Sequence, residues 1–268
     1  MLKITIIAGA RPNFMKIAPI IAAINNAKSK GKAIDYRLVH TGQHYDKNLS
    51  DTFFEELNIP HPDVNLEVKS GSQAEQTAQI MTKFETELLS NPADLVLVVG
   101  DVTSTMACAI VAKKLHVDVA HVEAGIRSGD LKMPEEINRM VTDSITDYFF
   151  TTTKLANENL LNSGKTKEQL FLVGNVMIDT LFKNMDRLKK PDFWDKLGLE
   201  SKSYYVMTLH RPSNVDEEQQ LTDLISTIVE KSEGKPIIFP VHPRTKKLLQ
   251  NLNLNYNQLH YVEPQGYL

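Results

Sequence analysis

Two short, strongly apolar runs, LVLVV at 95–99 and VDVAHV at 117–122, stand one helical pattern apart. Each delivers a carboxylate at its end, Asp101 after Gly100 and Glu123 directly. Runs without polar alternation suit strands buried on both faces, the environment of a parallel sheet. A parallel pair needs a crossover of about a dozen residues, and residues 105–115 supply one in helical period. In an open parallel α/β sheet the ligand crevice lies at the carboxyl ends of the strands. Asp101 and Glu123 fall there, with Glu135 and Arg139 close downstream. Acids at two consecutive strand ends, followed by another acid and an arginine, point to proton transfer. The rival for such a set is an ion-pair network that only holds the fold.

The strand–helix alternation continues on both sides. Residues 3–8 (KITIIA) read as a strand closed by Gly9. Residues 14–27 read as a helix with Ile17, Ile20, Ile21 and Ile24 along one stripe and Asn13 as its N-cap. The turn between them, GARPN, is not GxGxxG, so no dinucleotide site is read there. It carries Arg11, and Lys16 follows in the first helical turn. Two cations beside a helix N-terminus make a cradle for a phosphate-like anion. A second strand is expected at 36–41, and the loop after it presents Gln43. Helices are expected at 48–57, 75–89 and 154–163, and strands at 147–151 and 170–173. The repeated β-α order predicts an α/β fold with a doubly wound parallel sheet.

A seam is expected at Gly174-Asn175, dividing the chain into domains 1–173 and 174–268. Beyond it the pattern gives a helix at 177–188, a strand at 204–209 ending in His210 and Arg211, and a helix at 217–231. A strand at 236–241 then ends in His242, Pro243 and Arg244, and another lies at 259–262. Cations at strand ends in both halves suggest an anionic ligand held between them. Three strands would leave a sheet with an unpaired edge, so the second domain is expected to be incomplete.

Several function classes are excluded. With 30 Lys+Arg against 33 Asp+Glu the net charge is −3, and no basic field invites nucleic acid. No apolar run reaches the ~20 residues of a membrane span, and the chain opens directly into a strand, so a cytoplasmic protein is expected. Cys108, the single cysteine, cannot form an internal disulfide and sits among Ala107, Ala109 and Val111 as a small core residue. His121 and Glu123, two apart on one strand, share a face. Without HExxH-like spacing no metal site is expected of them. His61, His116 and His260 read as turn or surface residues.

The motifs GARPNFMKIAPI (9–20), TGQHYD (41–46), VVGDVTST (98–105), HVEAGIRS (121–128), PEEINR (134–139), GNVMID (174–179), HRPSN (210–214) and VHPR (241–244) occur in an order and spacing that resembles the non-hydrolysing UDP-N-acetylglucosamine 2-epimerases along the whole chain. The resemblance implies a glycosyltransferase-B-like architecture of two Rossmann-like domains, the second truncated here. It implies an isomerase that interconverts UDP-GlcNAc and UDP-ManNAc without a cofactor or a required metal, through elimination and re-addition of UDP, in cell-surface polysaccharide biosynthesis. By that resemblance Asp101, Glu123 and Glu135 form the acid/base group, and His210 holds the diphosphate and assists its departure. Arg11, Lys16 and Arg139 bind the nucleotide phosphates, and Gln43, Arg211 and His242 complete the substrate contacts. A homodimer is implied as well.

Three departures from the family pattern stand out. The chain lacks the TDSGG-type and TERPE-type loops that contact uridine diphosphate in the family, so impaired activity is expected. Ser213 stands where many relatives carry Glu, and Asp46 stands where regulated bacterial members carry Gln. Two other readings accompany the main one: a hydrolysing relative that releases ManNAc and UDP, and a nucleotide-sugar-binding remnant without catalysis.

Overall fold

The computed structural model describes residues 1–42, 54–209, 217–241, 243–252 and 254–268; the side chains of Arg11, Pro243, Arg244, Lys247, Gln250 and Asn251 lie outside the description too. These residues form two compact units, Met1–Arg187 and Leu188–Leu268.

The first unit is built on seven strands: β1 (Leu2–Ala8), β2 (Ile34–His40), β3 (Val64–Asn65), β4 (Leu95–Val99), β5 (Asp118–Ala124), β6 (Tyr148–Thr151) and β7 (Leu170–Leu172). They lie in the order β3-β2-β1-β4-β5-β6-β7, and every neighbouring pair is parallel. Helices α1 (Arg11–Ser29), α2 (Gln73–Ser90), α3 (Thr103–Lys114), α4 (Pro134–Ile145), α5 (Lys154–Asn162) and α6 (Val176–Asn184) accompany them. The apolar runs at 95–99 and 118–124 are central strands, buried as their composition requires. Helix α2 shows how sequence sets an element. Ser72 accepts a bond from the Glu75 amide at 3.2 Å while Glu75 accepts one from the Ser72 amide at 2.8 Å, so the first turn closes on itself. Ile80, Phe84 and Leu88 then recur every fourth residue and enter the core with Val96, Val98 and Cys108. Cys108 is fully buried there, as its neighbours predict.

Several expectations need correction. Asn13 is not the N-cap of α1. The helix starts earlier, at Arg11, with Ala10 in the capping position. The Asn13 side chain instead reaches back to accept from the amides of Gly9 and Ala10, both at 2.9 Å, satisfying donors that a helix start leaves open. Strand β3 is only two residues long, too short for any period to announce it. Helix α4 occupies residues where the sequence reading placed no element. Its inward residues are Glu136, Asn138, Thr142 and Asp143, so the apolar periodicity that reveals other helices is missing. The expected helix at 48–57 lies mostly outside the described residues.

Among its described residues the second unit has three parallel strands, β8 (Tyr205–Val206), β9 (Ile237–Pro240) and β10 (Leu259–Val262), in the order β10-β9-β8. Helices α7 (Glu218–Lys231) and α8 (Pro243–Leu252) accompany them. Leu221, Ile225 and Val229 of α7 pack with Ile237, Phe239 and Leu259. The strand expected at 204–209 pairs over Tyr205 and Val206 alone. Helix α6 belongs to the first unit: its Thr180 hydroxyl donates to the Met15 carbonyl of α1 at 2.6 Å.

Candidate active site

The chain leaves β1 toward β2 on one side and β4 toward β5 on the other. The loops after β1 and β4 therefore diverge, opening a crevice at the carboxyl ends of the sheet. Asn13 ties the two loops, donating to the Val99 carbonyl at 3.3 Å. Gly100 follows with φ +67, and a Cβ built there would lie 2.7 Å from the Lys16 ammonium and 3.6 Å from the Glu123 carboxylate. Only glycine leaves that space open at that backbone angle.

Glu123, the penultimate residue of β5, is in a left-handed conformation, φ +69. The pairing with β6 slips between Val122 and Ala124, a bulge of the kind that re-aims a side chain. Its carboxylate forms an ion pair with Lys16, both side chains about nine-tenths buried. Lys16, read from the sequence as a phosphate ligand, is thus paired with an acid of the site. Asp101 accepts from the Arg139 guanidinium at 2.5 Å, and its main-chain carbonyl accepts from the Asn138 amide at 2.8 Å. Arg139, expected to bind phosphate, also donates to Glu136 at 2.9 Å. Glu135 lies in the first turn of α4, half-buried, with no hydrogen-bond or ion-pair partner among the described residues. Pro134 at the start of the helix and the positive end of its dipole suit that position for an acid. The site thus brings Asp101, Glu123, Lys16 and Arg139 into one pair of linked clusters with Glu135 on the adjoining helix. Gln43, His210, Arg211 and His242, and the side chain of Arg11, lie outside the described residues.

Two further groups complete the frame, and the sequence reading missed both. Glu136 accepts from the Ser128 and Gly129 amides at 2.9 and 3.1 Å, the Ser128 hydroxyl at 3.0 Å and Arg139. Burial would raise its carboxyl, but these donors outweigh burial and hold it down at about 2. His121, wholly buried, meets the Asp143 carboxylate at 2.7 Å through Nδ1 and the Gly100 carbonyl at 2.8 Å through Nε2. The other Asp143 oxygen accepts from the Gly125 amide at 3.1 Å and pairs with Arg127 at 2.7 Å. Burial works against the charge on Asp143, yet His121 and Arg127 hold its carboxyl below the usual range. His121 and Glu123 turn to different partners, so the shared face read from their spacing does not hold once the bulge intervenes. A signal was available: Glu136, Arg139 and Asp143 fall at i, i+3 and i+7, a charged stripe in a stretch that opens with proline.

A parallel α/β sheet with acids, a lysine and an arginine gathered at its switch point defines an enzyme of the acid–base kind on a two-unit, glycosyltransferase-B-like architecture. Residues 26–268 match the family model described as UDP-N-acetylglucosamine 2-epimerase. The chain is 41% identical over 278 residues to the UDP-N-acetylglucosamine 2-epimerase of Methanocaldococcus jannaschii, covering 100% of this chain and 74% of that protein. It is 38% identical over 271 residues to the UDP-2,3-diacetamido-2,3-dideoxy-D-glucuronate 2-epimerase of Pseudomonas aeruginosa, with the same two coverages. The crystal structure of the M. jannaschii enzyme in complex with UDP-GlcNAc and UDP superposes with a TM-score of 0.86 at 40% identity, over 99% of this chain and 74% of that one. The chain belongs to the UDP-N-acetylglucosamine 2-epimerase family. No helix among the described residues is long and apolar enough to cross a membrane.

Proposed function

We propose that the protein interconverts UDP-GlcNAc and UDP-ManNAc by inverting C2 of the sugar. The observation that carries this reading is the placement of Asp101, Glu123 and Glu135 at neighbouring strand ends and on the adjoining helix. A carboxylate takes the C2 proton while the C1–O bond to UDP breaks and its electron pair leaves with UDP. A C1=C2 double bond forms, giving 2-acetamidoglucal. UDP then returns to C1 as an acid delivers a proton to the opposite face of C2. Such a path needs acids on both faces and cations for the departing diphosphate. The ion pairs of Lys16 with Glu123 and of Arg139 with Asp101 set a cation beside each acid in the resting site. They also leave two cations near enough to turn toward an incoming anion. Residues 1–173 supply the acids in this reading, and residues 174–268 nucleotide contacts, with Arg11, Gln43, His210, Arg211 and His242 as further substrate-binding residues. A homodimer in the cytoplasm is part of the same proposal.

The test is incubation with UDP-GlcNAc in heavy water, followed by NMR and chromatography. Deuterium at C2 together with UDP-ManNAc supports the reading. Free ManNAc and UDP in its place indicate hydrolysis, and UDP binding without exchange indicates a non-catalytic protein. The Pseudomonas relative is named for a 2,3-diacetamido uronate, so the corresponding UDP-sugar belongs in the same assay. Exchange on that sugar alone would keep the chemistry and change the substrate.

A further inference from the structure

We propose that His121 and Asp143 are positioning residues that jointly set the two strand-end acids, an inference that rests on the epimerase reading above. The pair spans two pieces of backbone. His121 Nε2 reaches the Gly100 carbonyl, one residue before Asp101, at 2.8 Å, and Asp143 accepts from the Gly125 amide, two residues after Glu123, at 3.1 Å. Both pieces are bent in ways that need holding, with φ of +67 at Gly100, +69 at Glu123 and +76 at Gly125. A left-handed glutamate is strained and persists only where its surroundings impose it. Here they impose it: the bulge sets the register, Asn159 holds the Gly125 carbonyl at 2.9 Å, and the His121–Asp143 pair holds the rest.

The chemistry of the pair makes this a demanding piece of construction. His121 is 0% and Asp143 1% exposed. A buried charge is costly unless it is paired and fully hydrogen-bonded, and an apolar pair would serve packing alone. Each ring nitrogen of His121 faces an acceptor, a carboxylate and a carbonyl, so filling both bonds requires a proton on each nitrogen. The Asp143 carboxylate balances that charge and shares it with Arg127, 2.7 Å away. The result is a rigid charged bridge behind Asp101 and Glu123 that touches neither carboxylate. Truncating it would let both acids drift while leaving their ion pairs with Arg139 and Lys16 available. A displacement near 1 Å is worth about a hundredfold in rate when reacting groups must align.

The experiment uses the full chain with His121→Asn, His121→Gln and Asp143→Asn. The asparagine amide sits where Nδ1 does and keeps the Asp143 contact; the glutamine amide sits near Nε2 and keeps the Gly100 contact. C2 exchange is measured well below each variant's melting temperature, with shielding of Cys108 from thiol reagent as the check on folding. The expected result is a kcat lowered about a hundredfold in His121→Asn, with KM within about threefold and partial recovery in His121→Gln. Folded variants with unaltered kcat, or losses confined to KM, overturn the proposal. If the variants do not fold, 15N NMR of wild-type imidazoles decides: two ring N–H protons on His121 at neutral pH support the bridge, and one overturns it. A wild-type protein without C2 exchange refutes the epimerase reading itself, while the NMR arm still reports on the bridge.

Discussion

The Arg139 guanidinium stands 2.5 Å from the Asp101 carboxylate while its other nitrogen holds Glu136. Asp101 is a third exposed at its side chain and Arg139 about a seventh, so the contact contributes little to stability. Ion pairs with that access to water give at most about 1 kcal/mol. Asp101→Asn should therefore abolish C2 exchange with a stability change within about 1 kcal/mol. Exchange assays beside thermal denaturation check this, and a variant that unfolds would return Asp101 to a structural role.

The pair of Lys16 and Glu123 is far drier, and breaking it from one side should cost more. Lys16→Met leaves a buried carboxylate uncompensated, a loss of roughly 3 kcal/mol. Adding Glu123→Gln removes that charge and should restore a substantial part of the stability while activity stays lost. A double-mutant cycle by denaturant unfolding measures the coupling.

Glu136 gives a pH signature. Its folded value of about 2 lies below the ordinary 4.5. The stability it contributes is therefore complete above pH 4.5 and disappears as pH falls toward 2. The contribution is on the order of 3 kcal/mol. Wild type should be more stable than Glu136→Gln at pH 6, and the two melting curves should converge as the buffer approaches pH 2. A gap that stays constant across that window would refute the assignment.

Gly100 cannot accept a side chain without consequence. In Gly100→Ala the new methyl would lie 2.7 Å from the Lys16 ammonium, and that flexible end would move and leave Glu123. Left-handed strain adds about 1 kcal/mol, for a total near 1–3 kcal/mol. Activity should fall further than stability, which parallel exchange and unfolding measurements can separate.

Cys108 provides a probe that disturbs nothing. It is fully buried, and burial pushes its thiol well above the ordinary range. Reaction with a thiol reagent should be negligible in the folded protein and should follow global opening in denaturant. Rapid labelling under native conditions would contradict the burial.

The sheet was legible because its strands are apolar runs punctuated by glycine, and because amphipathic α2 and α7 repeat Phe or aliphatic residues every fourth position. Asp101 and Glu123 were legible for the same reason: a buried strand that stops on an acid announces it. What lay hidden was the polar interior of α4. Glu136, Asn138 and Asp143 point inward and bond to backbone, so no hydrophobic period betrays the helix, and hydrogen-bond partners distant in sequence cannot be read from spacing. The bulge at Glu123 was equally hidden. Strict alternation puts His121 and Glu123 on one face, whereas a single left-handed residue sends one to Asp143 and the other to Lys16.

Helix α4 holds Asp101 through Arg139 and Asn138 and the Gly125 backbone through Asp143. The two acids consequently share one set of mechanical freedoms. A tilt of that single rod moves both together, so neither can be retuned alone by a change along it. Divergence in which sugar is accepted should accordingly accumulate in the surrounding walls, where one side chain can be exchanged without disturbing the frame that aims both proton carriers.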